Sequence, residues 1–164
     1  AASDPPPQLL IDALTEIGDW YQTTTRTSQA LHYYEQAAAV HSSNPGRVAA
    51  NPLEAPRIVF YRPPLLATRR LGTMDGQYRV RRAVFEFRVL ADGSLEDIAV
   101  VESDMSEGQL AQTRRALARA IYSPRFEDGK AVASEGVRFT AEWAEAHLPE
   151  AEAEDATAQT ADRN

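Results

Sequence analysis

The chain has 164 residues, 43% of them hydrophobic and 25% charged, with a formal net charge of −7; at roughly 100 to 200 residues per domain this allows one good core or two small ones, and the charge argues against nucleic acid as the main partner. With no cysteine, a disulfide framework and a thiolate metal site are both excluded, and no run approaches the roughly 18 consecutive apolar residues that cross a bilayer as a helix. The sequence opens Ala-Ala-Ser-Asp-Pro without a methionine, as expected of a processed or truncated product whose signal peptide, anchor or upstream repeats are missing.

Residues 1–8 carry Pro5-Pro6-Pro7 and are expected to be extended, since proline fixes φ and supplies no backbone donor. Residues 9–41 read as a helical hairpin. Leu10, Leu14, Ile17 and Tyr21 follow helical spacing before the Thr23-Thr24-Thr25 break, and Ala30, Tyr33, Tyr34 and Ala37 follow it afterwards. Residues 42–56, rich in Ser, Asn, Pro and Gly, read as a linker. Arg57 to Tyr61 forms a short predicted strand that Pro63-Pro64 stops, Leu65 to Leu71 a helical turn, and Asp75-Gly76 a hairpin turn leading into Gln77 to Val80.

The clearest pattern runs from Ala83 to Trp143. Val84 to Leu90 alternates apolar and charged, a two-residue turn falls within Ala91-Asp92-Gly93-Ser94, and a second strand resumes over Leu95 to Val101, a hairpin signal. Phe85 and Phe87 share one face and are expected in the core, with Phe126 closing it. Glu107 to Tyr122 has helical spacing that Ser123-Pro124 ends, Asp128-Gly129 turns the chain, and Val132 to Trp143 reads as a return strand. Residues 145–164 are mostly Ala, Glu, Thr and Asp and read as an acidic tail, disordered beyond about Leu148. The fold class is therefore α+β: a helical hairpin, then a three-stranded antiparallel sheet packed on one helix.

Two family resemblances follow from these residues. Leu14, Ile17, Gly18 and Tyr21, with Ala30, Tyr34 and Ala37, resemble one tetratricopeptide repeat, in which small residues let two helices approach and aromatics fill the groove between them. A single such repeat cannot bury its own apolar face and is expected to pack on upstream repeats, the following domain or another chain. The order strand, Asp-Gly turn, strand, helix, Pro-x-Phe, Asp-Gly, strand over Ala83 to Trp143 resembles the C-terminal domain of the TonB family of periplasmic energy transducers, and implies such a domain over residues 57–144. The matching residues include Val84, Phe85, Phe87 and Val89 before Asp92-Gly93, then Leu95, Ile98, Val100, Leu110 and Leu117, and finally Pro124, Phe126, Gly129, Val137 and Phe139.

That resemblance implies a noncatalytic protein-recognition module of the Gram-negative periplasm. It would add an extended segment of an outer-membrane transporter or envelope subunit to its sheet, with no cofactor and with membrane association only through a missing anchor or a partner. The candidate partner-binding edge is Ser134, Glu135, Gly136, Val137, Arg138, Phe139, Thr140 and Trp143, since an edge strand offers unpaired N–H and C=O groups to an incoming chain. Trp143 itself alternates with Phe139 and Ala141 and reads as a core or rim residue. A scaffold subunit using the domain for packing alone is the other reading.

Catalysis has little to stand on. His32, His41 and His147 have no partners at metal or catalytic spacing, and the Asp-Gly pairs are explained by turn chemistry. Arg69, Arg70, Arg79, Arg81 and Arg82 form a basic patch, read as a solvated surface, as a cluster covered in cis by the acidic tail, or as a contact for an anionic membrane, lipopolysaccharide or nucleic acid. Arg114, Arg115, Arg119 and Arg125 are a weaker stripe on or near the helix, read as a solvated helix surface.

Overall fold

In a computed structural model of the chain, residues 5–48, 51–64 and 78–146 are described; Arg69, Arg70, the Leu65 to Leu71 turn, Asp75-Gly76, His147 and the tail from residue 147 lie outside them. The protein is α+β, a helical hairpin followed by antiparallel sheets. Helix α1 (Pro7–Thr23) begins inside the triple proline, with Pro6 extended at φ −54°, ψ 138°. A proline at the first helical position loses no bond, because that N–H has no partner in a helix anyway. Of the described residues expected to be extended, Pro7 and Gln8 are helical instead.

Helix α2 (Thr27–Ser42) returns along α1. Ile11, Leu14, Thr15, Gly18 and Gln22 form the buried stripe of α1, and Ala30, Tyr34, Ala37 and Ala38 that of α2. Gly18 sets how close the two helices come: a Cβ there would lie 2.4 Å from Cε1 of Tyr34. The hairpin does not close its own core. Leu53, from the segment read as a linker, is wholly buried in it, and Phe126 is buried beside it, its ring meeting that of Tyr34 edge to face with centroids 6.1 Å apart. Phe126 therefore serves the helical core and not, as the sequence suggested, the sheet core; its backbone N–H donates to the Leu53 carbonyl at 2.8 Å.

Strand β1 (Arg57–Phe60) pairs antiparallel with β4 (Ile121–Ser123). Strands β2 (Tyr78–Val89), β3 (Leu95–Ser103) and β7 (Ser134–Ala146) make the main antiparallel sheet in the order β3-β2-β7. Ala83, Phe85, Phe87 and Val89 of β2 and Ala141 and Trp143 of β7 point to one buried face, where Met105, Leu117, Ala120 and Tyr122 complete the core. This is the period of two expected of a half-buried strand. Helix α3 (Glu107–Leu117) lies over that face, opened by a capping box in which Ser106 and Gln109 satisfy each other's backbone donors.

Helix α3 stops at Leu117, short of Tyr122. Ala120 and Tyr122 are buried, at 8% and 4% exposure, which mimics a continuing helical stripe, but residues 121–123 leave the helix to pair with β1. The two Asp-Gly turns also differ. Asp128 (φ 50°) and Gly129 (φ 77°) make a two-residue hairpin loop between β5 (Arg125–Glu127) and β6 (Lys130–Val132), with positive φ at both central positions. The first turn spans three residues, Ala91-Asp92-Gly93, with Leu90 and Ser94 bonded across it at 2.8 Å and Gly93 in the left-handed region at φ 84°. The return strand divides at Ala133 into β6 and β7.

The helices are fastened to the sheets by polar contacts as well. Arg57 of β1 donates from Nη2 to both carboxylate oxygens of Asp19, at 2.8 and 2.7 Å, and the Tyr34 hydroxyl donates to Asp19 Oδ1 at 2.8 Å. Burial first, then this hydrogen bond, pushes the Tyr34 hydroxyl far above its ordinary pKa. Within one turn of Asp19, Gln22 Nε2 donates to the Asp92 carbonyl at 2.6 Å, so the β2-β3 turn is tied to the helical hairpin.

Candidate partner-binding edge

Strand β7 is alternately buried and exposed: Val137, Phe139, Ala141 and Trp143 face the core, and Arg138, Thr140 and Glu142 face outward. Among the described residues it pairs with β2 alone. Every second N–H and C=O of such a strand points away from its neighbour, so β7 carries a row of backbone groups along its outer margin. From Val137 to Ala146 the strand runs opposite Phe87 to Tyr78 residue for residue. Before Val137 the register slips, and Gly136 sits at φ 64°. A glycine in that conformation at a register slip marks a bulge; an isolated glycine within a strand pattern is the signal that would have revealed it.

The eight edge residues singled out in the sequence therefore fall into two groups. Ser134, Glu135 and Gly136 belong to the bulge, whereas Val137, Arg138, Phe139, Thr140 and Trp143 lie on the regular stretch. The Trp143 side chain is 5% exposed and sits in the core, so it reaches the margin only through its backbone. Sequence reasoning missed Tyr61, just past β1. Its ring packs edge to face on Phe139 with centroids 4.8 Å apart, and burial raises its hydroxyl pKa.

On the outward face, charges are matched directly across the strands. Arg82 lies opposite Glu142 and Arg138 opposite Glu86, with ion-pair distances of 3.1 and 2.9 Å. Arg88 lies opposite Glu96 and contacts it at 3.7 Å, while its Nε is 2.9 Å from Glu135. Such pairs favour one register, because a slip of one residue would turn them to the other face. The described members of the basic patch accordingly have acidic neighbours within the sheet. Arg82 meets Glu142; Arg81 donates to Glu145 at 2.6 Å, and Gln109 of α3 donates to the second oxygen of that carboxylate at 3.2 Å. The Arg81 hydrogen bond outweighs the opposing effect of burial and, with the Gln109 bond and the charges of Arg81 and Arg79, holds the Glu145 carboxyl below its ordinary pKa.

A concavity of about 720 Å³ lies between the end of β1 and α3, lined by Phe60, Arg62, Pro63, Gln112, Arg115 and Arg119 among others. It gathers two residues of the helical arginine stripe but not Arg125, which pairs instead with Glu127 at 3.1 Å. Among the described residues no group of three or more His, Asp or Glu side chains is placed to hold a metal ion, and no helix is long and apolar enough to cross a membrane. His32 contacts Gln36 through Nε2 at 2.7 Å on the exposed side of α2.

No family model matches the chain, and no curated protein matches it. Among solved structures it is similar to the solution NMR structure of the Pseudomonas aeruginosa TonB CTD, with 30% identity, 44% of this chain and 68% of that chain covered, and a TM-score of 0.29.

Proposed function

We propose that the protein is a noncatalytic recognition module of the TonB-like kind, acting in the periplasm and binding an extended segment of an envelope protein as an added strand on the outer margin of β7. The observation that carries this reading is the regular stretch from Val137 to Ala146, bonded to β2 on one side and to no other described strand on the other. Main-chain bonds along such a margin supply affinity while asking little of the ligand's sequence. The sequence resemblance of Ala83 to Trp143 to the TonB family supports the reading, and it suggests an outer-membrane transporter or envelope subunit as the partner. The helical hairpin, of tetratricopeptide type on its sequence pattern, would supply a second docking surface.

Two adjacent proline variants test strand addition. Of the neighbouring amides of Val137 and Arg138, one points to β2 and the other outward, so Val137→Pro and Arg138→Pro remove one of each. In recovery of partners from an envelope extract, the outward variant is expected to keep its fold by circular dichroism yet lose the partners that wild type retains. Recovery by that variant equal to wild type would contradict the proposal.

A scaffold reading has its own supporting observation. Leu9, Leu10, Ile17 and Trp20 of α1 are exposed, Trp20 by 57%, and a subunit packed into an assembly would cover them. In that case Trp20→Glu, and neither proline, would abolish recovery.

A further inference from the structure

Building on strand addition at β7, we infer that the outward face of the sheet specifies the ligand's charges: an acidic side chain opposite Arg138 and a basic one opposite Glu142, four residues apart. Along the sheet the two positions already belong to rows of alternating sign. In one row Arg82 of β2 faces Glu142 of β7, and in the other Glu86 of β2 faces Arg138 of β7. Thr140, between them, is neutral and exposed. A strand added beside β7 lies about 4.8 Å away and brings directly opposed side chains within roughly 5 Å. The next position in the first row is therefore next to a carboxylate, and the next in the second is next to a guanidinium.

The Arg138 and Glu142 side chains are 65% and 58% exposed, so each can hold its β2 partner on one side and meet a ligand on the other. The alternate ligand residues, opposite Phe139 and Ala141, turn to the face where Tyr61 packs on Phe139, a surface suited to apolar side chains. The ligand class is thus an extended peptide with a base and an acid four residues apart, apolar residues at the two intervening core-side positions and a small polar residue between those. Strand direction decides only which charge comes first: the base if antiparallel to β7, the acid if parallel.

The test uses three synthetic peptides that share a Val-Thr-Val centre and differ in the two flanking residues: Lys before and Glu after, Glu before and Lys after, and Gln at both. Binding to the full chain is read from the shifts of β7 amide resonances at low ionic strength, where exposed charges are least screened. With two opposite-charge pairs at about 0.2 to 1 kcal/mol each, one of the two charged peptides is expected to bind about twofold to thirtyfold more tightly than the Gln peptide, and the order it carries reports the strand direction. In R138Q/E142Q, which leaves the backbone margin intact, that advantage is expected to vanish. Equal affinity of all three peptides for wild type, or an advantage that survives in R138Q/E142Q, would overturn the charge rule and leave strand addition standing. If none of the peptides shifts the β7 amides, strand addition falls and the rule with it.

Discussion

The main sheet has two margins, and they are built differently. The β3 margin is irregular: its register against β2 slips twice, between Val84 and Phe85 and between Glu86 and Arg88, and Asp97 stands at φ 54° in mid-strand. Glu96, Asp97 and Glu102 put carboxylates along it. Its hairpin turn is held from outside, with Gln22 bonded to the Asp92 carbonyl and the Tyr122 N–H donating to the Gly93 carbonyl at 3.4 Å. Bulges and charges are the devices by which proteins keep an edge from pairing with other chains. The β7 margin has its bulge at one end and is regular thereafter. The same sheet thus has one irregular, charged margin and one that is regular along most of its length.

The strongest way to break the irregular side is at Gly93. A Cβ there would lie 2.0 Å from the Tyr122 carbonyl oxygen and 2.6 Å from Gln22 Nε2, on a backbone already at φ 84°. Gly93→Ala is expected to cost about 3 kcal/mol or more, combining left-handed strain with a backbone clash, read as a lower midpoint in urea unfolding. Gly136→Ala sharpens the contrast, because it has the same sign of φ, at 64°, but nothing within 4 Å of the added carbon. Only the conformational penalty remains, about 1 to 2 kcal/mol, and the same unfolding experiment should separate the two glycines clearly.

Acid acts on the β7 side through Glu145. Because the Arg81 and Gln109 bonds depress its folded pKa below the unfolded value of 4.5, its stabilising contribution is fully present above that value and is lost as pH falls through the folded pKa. Wild type should therefore lose stability relative to Glu145→Gln between about pH 5 and pH 3, and parallel stability curves for the two proteins over that range would refute the assignment. The smallest effect is expected from the exposed pair Arg82 and Glu142. A double-mutant cycle to alanine should return a coupling of about 0.2 to 1 kcal/mol, which decreases with added salt, so the outward charges bear on register more than on stability.

Much of this contrast was legible in the residues. The alternation of Val84 to Leu90 and of Val137 to Trp143 identifies strands with one buried face, and Asp-Gly marks both turns, because these are local signals of period and backbone freedom. What escaped depends on partners distant in sequence. Tyr122 is buried at a spacing a helix would also give, and only its pairing with Ile58 of β1 separates the alternatives. Phe126 was assigned to the nearer core, yet it enters the helical one beside Leu53, a lone leucine in a segment whose proline and asparagine content reads as linker. The return strand was legible for a local reason, but its bulge at Gly136 and its aromatic neighbour Tyr61 were not, since both are defined by the strand or ring that lies opposite.

Amide hydrogen exchange along β7, resolved by NMR on the full chain, tests the open margin most directly. Between Val137 and Ala144 alternate amides should exchange quickly while their neighbours, bonded to β2, are protected, and the fast set should slow when a bound peptide adds its strand. Uniform protection of every amide in that stretch before any peptide is added would mean the margin is already paired, and would contradict strand addition at β7.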